Sequence, residues 1–222
     1  MFPGRTGSTF LTDHMKSHPE ICARFEILSR HPDSWESQLE CMTTLFQTKR
    51  YPHIKALGFK CKLTGVLDQD AFGQFLRDWN FRIIHLVREN HLKFIVSVIR
   101  ARHLRSEQGR SNLLEKGQDP IGPITIPEPV FARAKKRLNV ASRLQDFVEA
   151  SGLSTLRIAY EDLISDESRV LAGVWEFLEV QPHETVSTPR KNTPDDIRKA
   201  VLNLDELIAH HPAMARFLDS DK

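Results

Sequence analysis

The run Ile83-Ile84-His85-Leu86-Val87 is apolar at every position but one, and it narrows the possible folds more than any other stretch of this chain. A strand with one wet face alternates apolar and polar residues; a run without alternation is covered on both faces, as strands of a parallel sheet are. Parallel neighbours cannot be joined by tight hairpins and need long crossovers, usually helical. The flanking sequence supplies them. Residues 70–78 read as a helix with Phe72, Phe75 and Leu76 inward, and after the strand Leu92, Ile95, Val96 and Ile99 form a helical stripe from which Ser97 lies well off. Residues 54–63 read as another strand, with Lys60 and Lys62 on one face and Phe59, Cys61 and Leu63 on the other. Residues 156–160 read as a further strand. Alternating strands and helices predict an α/β fold around a mostly parallel sheet, with ligands at the carboxyl ends of its strands.

The remaining segments fill in this pattern. A helix over 8–17 is stopped with the help of Pro19, and residues 21–27 are extended. Residues 32–48 are helical with Leu39, Met42, Leu45 and Phe46 at core spacing, and 169–178 with Leu171, Val174, Trp175 and Leu178 inward. One continuous helix is predicted over 130–150, closed by Gly152. Thr193-Pro194-Asp195-Asp196 has the composition of a helix start, and the helix it opens should bury Ile197, Val201, Leu204 and Ile208. Between these, residues 101–129 are rich in Arg, Ser, Gly and Pro, and only Ile124-Thr125-Ile126 suggests regular structure. A loop of such length is usually functional or mobile.

The 222 residues suit a single domain over 1–222. Lys+Arg number 31 against 29 Asp+Glu, so the net charge of +2 implies no general affinity for polyanions or nucleic acid, and any attraction for a nucleotide must be local. Cys22, Cys41 and Cys61 stand far apart with no C-x-x-C pair, which reads as reduced thiols rather than a disulfide scaffold or zinc site. The ten histidines have no metal-ligand spacing. No apolar run is long enough to span a bilayer, and no secretory signal is visible. A cytoplasmic protein is expected.

Near the N-terminus stands Gly4-Arg5-Thr6-Gly7-Ser8-Thr9. Glycines let a chain turn tightly and aim its N–H groups, and the following helix adds its positive end, so the stretch is a ready anion cradle. By residue type alone it is equally a polar helix cap. It is not the triphosphatase loop G-x-x-x-x-G-K-[ST], because Thr9 stands where the second glycine belongs and no lysine follows; this argues against a kinase. A second stretch, Arg82-Ile-Ile-His-Leu-Val-Arg88-Glu-Asn90-His-Leu92, ends an apolar strand in an arginine and has Ser97 nine residues after Arg88.

Together the two stretches resemble the sulfotransferases that use 3'-phosphoadenosine 5'-phosphosulfate (PAPS), and the Leu-x-Arg-x-Asn-x-Leu wording is most similar to the bacterial carbohydrate sulfotransferases. Tyr160-Glu161-Asp162-Leu163 and Phe177-Leu178-Glu179-Val180 extend the similarity over most of the chain. The resemblance implies a three-layer sandwich with a P-loop-nucleotide-hydrolase-like sheet, PAPS as co-substrate without a metal, and a small-molecule or glycan acceptor. It implies that Arg5, Thr6, Gly7, Ser8 and Thr9 grip the 5'-phosphosulfate, that Arg88 and Ser97 grip the 3'-phosphate, and that Tyr160 lies near the adenine. Arg190 and Lys191 would belong to a basic loop over the cofactor. By residue type alone, Arg88 is a surface charge beside Glu89, Ser97 a solvent-facing serine, Tyr160 a core tyrosine, and Arg190 and Lys191 a solvated pair.

In that family the first loop follows a buried strand. Here only Met1-Phe2-Pro3 precede Gly4, so the first strand is expected to be truncated, and a truncated or non-catalytic nucleotide-binding relative is the alternative. Relatives held in the Golgi by an N-terminal anchor leave that compartment open for a chain whose anchor lies outside this sequence. The resemblance places the general base at Glu26, where Phe25 and Ile27 would desolvate it; a structural pairing with Arg24 or Arg30 competes. His14, His18 and His85 are fallback bases, His85 reading rather as a core histidine. Lys60 could approach the sulfuryl group or be a strand-face charge. The segment 101–129 would contact the acceptor.

Overall fold

The computed structural model describes residues 1–47, 52–108, 121–187, 194 and 196–218. In chain order the elements are α1 (Ser8–Ser17), β1 (Ile21–Arg24), α2 (Trp35–Gln47), β2 (Ala56–Phe59), α3 (Gln69–Asp78), β3 (Ile83–Val87) and α4 (His91–Gln108). There follow α5 (Glu128–Lys135), α6 (Arg137–Ser151), β4 (Thr155–Ala159), α7 (Tyr160–Ser165), α8 (Glu167–Phe177) and α9 (Leu204–His210). Helices alternating with parallel strand pairs make this an α/β fold. The chain forms two compact units, one of Met1–Val87 with Val140–Ser187 and the other of Arg88–Asn139 with Thr188–Lys222. No described helix is long and apolar enough to cross a membrane.

The first unit carries the strands. β1 pairs in parallel with β2, Ile21 opposite Ala56, and β3 pairs in parallel with β4, Ile83 opposite Thr155. Between the two pairs lies the chain's own beginning. The Met1 amino group donates to Ile84 O, Leu86 N donates to Met1 O at 3.0 Å, and Phe2 N donates to Cys61 O at 3.2 Å. Met1 and Phe2 thus bond to β3 on one side and to Cys61, just past β2, on the other. β3 is covered on both faces as its composition requires. Leu86 packs with Leu11, Ile21, Ile158, Val174 and Trp175, while Ile83 packs with Leu28, Met42, Phe72, Phe75 and Leu144. Asp68 caps α3 through its side chain, accepting from Ala71 N at 2.9 Å.

The second unit is built around α4. Leu92, Phe94, Ile95, Val96, Val98, Ile99 and Leu104 are all buried, so α4 is apolar on more than the one stripe expected. It also runs to Gln108, past residue 101 where the composition suggests irregular chain. The predicted helix over 130–150 is two helices that part at Lys136: Phe131 and Ala134 of α5 enter the core of the second unit, while Leu144 and Val148 of α6 enter that of the first. The helix expected after Thr193 is also broken. Ile197–Lys199 make a single 3-10 turn, and then Val201 pairs in parallel with Ile124, with Ile124 N bonded to Ala200 O at 3.0 Å and Leu202 N to Ile124 O at 2.9 Å. Backbone committed to that bridge cannot continue a helix, which resumes only at Leu204. Asn203 fastens the same corner, donating to Ile126 O and accepting from Ile126 N.

Candidate active site

Three backbone residues of the opening loop lie in the left-handed region: Gly4 at φ 101, Arg5 at φ 55 and Gly7 at φ 74. Successive turns of this kind point N–H groups to one side. Gly7 then serves as N-cap of α1 without any side-chain cap, and no acidic residue occupies the first turn. The first N–H groups of a helix have no carbonyl four residues back, so they and the dipole face whatever lies at the loop. The Thr6 hydroxyl is buried with no hydrogen-bond partner. An orphaned hydroxyl, a left-handed loop and an uncapped helix start fit an anionic group better than they fit a plain cap.

Tyr160 comes to this loop from the other strand pair. It is the first residue of α7 rather than the last of β4, and a β-carbon on Gly7 would lie 3.0 Å from its Cδ2.

Opposite the loop stand the residues of the strand following α2. Lys60 Nζ donates to Thr9 Oγ1 at 3.1 Å and lies 3.5 Å from Glu26 Oε1. Lys62 Nζ donates to Glu26 Oε2 at 2.7 Å. The alternation predicted for 54–63 therefore survives beyond the end of β2, since both lysines reach one side while Cys61 and Leu63 are buried. The Lys60 side chain is only 9% exposed, with its ammonium 5.0 Å from the Phe2 ring centroid and 5.2 Å from that of Phe25. Burial lowers its pKa, although Glu26 works in the opposite direction. Glu26 is paired with these two ammonium groups rather than with Arg24 or Arg30. Phe25 is itself 38% exposed. A cavity of about 220 Å³ opens beside the carboxylate, lined by Lys60, Lys62, Ser29 and Thr64 among others. Composition marks Lys60 and Lys62 only as strand-face charges; their convergence on Glu26 joins the segments that follow β1 and β2, which no local pattern announces.

The fallback histidines are engaged elsewhere. His14 is buried, with Nδ1 2.8 Å from Thr185 Oγ1 and Nε2 3.3 Å from Glu167; burial lowers its pKa. His18 Nε2 lies 2.8 Å from Gln181 O, and its Nδ1 accepts from Glu20 N. His85 is buried in β3, and burial first, then the charges of the Met1 amine and Arg157, lower its pKa to about 4.

In the second unit, Arg88 follows directly on β3 and is nearly buried, and Ser97 is buried on α4 rather than facing solvent. Arg100, one turn beyond, is fully buried and donates to Gly122 O at 2.6 Å; a charged residue in the middle of an apolar helix is the signal that would have found it. Arg190 and Lys191 lie outside the described residues. Among the described residues no group of three His, Cys, Asp or Glu side chains is placed to hold a metal ion.

No protein-family model matches the chain. It is 24% identical over 232 residues to Nodulation protein H of Rhizobium tropici, a sulfotransferase, covering 98% of this chain and 90% of that one. Among solved structures, a sulfotransferase domain from the curacin biosynthetic pathway covers 82% of this chain and 72% of its own, with TM-score 0.49 and 17% identity.

Proposed function

We propose that the chain is a sulfotransferase that moves the sulfuryl group of PAPS to an acceptor hydroxyl on a carbohydrate or glycolipid. The observation that carries this reading is the Lys60 ammonium, set between the Thr9 hydroxyl of the anion loop and the Glu26 carboxylate. PAPS supplies a sulfuryl group on a phosphate leaving oxygen. The protein's task is to position the partners and neutralise charge growing on that oxygen. In this reading the N–H groups of Thr6 to Thr9, with Arg5 and the Ser8 and Thr9 hydroxyls, hold the 5' end, and the Tyr160 ring, packed on Gly7, borders the adenosine. Arg88 offers a planar fork to the 3'-phosphate and Ser97 a hydrogen bond. Glu26 accepts the acceptor's proton in the cavity it shares with Lys60 and Lys62. The same reading makes the two units parts of one sulfotransferase domain with a three-layer sheet architecture.

Thermal-shift titration with 3'-phosphoadenosine 5'-phosphate, ATP and buffer tests the donor, followed by sulfate transfer to a sugar panel. Stabilisation by the bisphosphate together with turnover is expected. Stabilisation by ATP alone would overturn the reading, and bisphosphate binding without transfer to any sugar would reduce it to a nucleotide-binding relative.

A further inference from the structure

Where α5 passes into α6, four of five consecutive residues are cations, Arg133, Lys135, Lys136 and Arg137, and residues 129–145 contain no carboxylate. All four lie in the second unit, which carries more Lys and Arg than Asp and Glu, whereas the first unit carries fewer. Arg133 and Lys136 are exposed, and Lys135 and Arg137 are half-buried. Among the described residues none of the four is in an ion pair, and the Arg137 Nε is buried without a hydrogen-bond partner.

Helix electrostatics accounts for part of this cluster. Arg133 and Lys135 stand in the last turn of α5, where cations complement the carbonyl end of the dipole. Lys136 and Arg137 gain little, because the negative end of α5 and the positive end of α6 meet there and oppose each other. The first turn of α6 holds no acid that would help. The Lys136 backbone keeps right-handed helical angles, so helical spacing carries across the junction. Arg133, Lys136 and Arg137 then stand three and four residues apart, and like charges at that spacing repel. The fold bears a repulsion here that it does not offset internally, and an anion from outside would offset it.

Val130 precedes Arg133 by three residues and Arg137 by seven, so it heads the same helix face, and it is exposed. A bilayer surface takes both kinds of side chain, the cations among its anionic headgroups and the apolar one at the acyl boundary. A soluble polyanion has use for the cations alone. We propose that the junction of α5 and α6 docks the chain on an anionic lipid surface, with Arg133, Lys135, Lys136 and Arg137 against the headgroups. Each cation near such a surface is worth about a fivefold gain in binding, and the attraction fades within about 8–10 Å at ordinary salt. Four cations give a reversible, salt-sensitive attachment from one side, and no described helix crosses the bilayer. The proposal rests on charge and exposure and is independent of sulfuryl transfer.

The test is co-sedimentation of the full chain with vesicles of phosphatidylcholine alone and of phosphatidylcholine mixed equally with phosphatidylglycerol. Sedimentation with the anionic vesicles only, reversed by added salt, is expected. Arg133→Gln/Lys136→Gln removes two exposed cations and should weaken that binding roughly 25-fold. Arg77→Gln/Arg169→Gln takes the same charge from exposed positions of the first unit and should change it less than about twofold, since distant charges are screened. If the first pair unfolds the chain, Lys135→Gln/Lys136→Gln gives the same reading. Equal losses in the patch variant and the control would assign the binding to net charge and overturn the proposal. Failure to sediment with the anionic vesicles would overturn it as well. Capture by dextran sulfate of a chain that ignores vesicles would do so by showing that the occupant is a soluble polyanion.

Discussion

The ring of Tyr160 closes over Gly7: a β-carbon built on that glycine would stand 3.0 Å from Tyr160 Cδ2 and 3.3 Å from Leu163 Cδ2. The same residue has φ 74, which side-chain-bearing residues rarely adopt. Glycine is therefore required twice at one position, by its backbone and by its neighbour. The contact ties the turn after β4 to the loop that precedes α1.

Gly7→Ala should cost about 1–3 kcal/mol in urea unfolding, combining left-handed strain with overpacking. Adding Tyr160→Ala removes the crowding but not the strain, so the cost of the alanine at position 7 should be smaller in that background. Equal costs in both backgrounds would show that the ring does not constrain the loop.

Lys60 and Glu26 make separable predictions. Glu26→Gln should abolish most turnover while bisphosphate affinity stays within about threefold, because a general base contributes 10²–10⁴-fold to rate. Lys60→Met should lower kcat by about 10²-fold, the scale of removing one charge-stabilising donor. Burial lowers the Lys60 pKa, so a reaction needing the ammonium declines on the alkaline side at lower pH than an ordinary lysine would impose. Lys60→Arg, always charged, should move that decline to higher pH or remove it. A kcat–pH profile unchanged by the arginine would separate Lys60 from the chemistry.

These residues show where the sequence is readable and where it stops. Ile83–Val87 is legible because a strand buried on both faces has no alternation to hide, and α1 because its loop and Pro19 bracket it. Lys60, Lys62 and Glu26 are each visible, but their meeting depends on which strands are neighbours. The break at Lys136 is invisible for a related reason: apolar spacing continues through it, and only the existence of two cores makes two helices of one. Val201 likewise keeps helical spacing while its backbone neighbours bond to Ile124. Periodicity reports a face and not a partner.

Arg88→Ala should weaken binding of 3'-phosphoadenosine 5'-phosphate at least tenfold by calorimetry, since a charge-assisted phosphate contact is worth roughly 1.5–3 kcal/mol. Adenosine 5'-phosphate, which lacks the 3' group, should lose little. Equal losses for both ligands would place Arg88 outside the 3'-phosphate site.

Acid should destabilise the first unit in two steps. The Met1 amine has an ordinary value of 8.0 and a folded value of about 6, and His85 goes from 6.5 to about 4. In both cases the folded state resists the proton that the unfolded chain accepts. Stability therefore rises with pH wherever the unfolded chain holds more protons. It should fall between about pH 8 and 6 as unfolded amino termini charge, and again between about 6.5 and 4 as unfolded His85 does. Acetylating the Met1 amine should flatten the upper window and leave the lower one, because the amide cannot titrate. His85→Gln should shrink the lower window, to which His14 also contributes because burial lowers its pKa, and leave the upper one. Urea midpoints measured every half unit across this range separate the two, and a lower window undiminished in His85→Gln would assign it to another group.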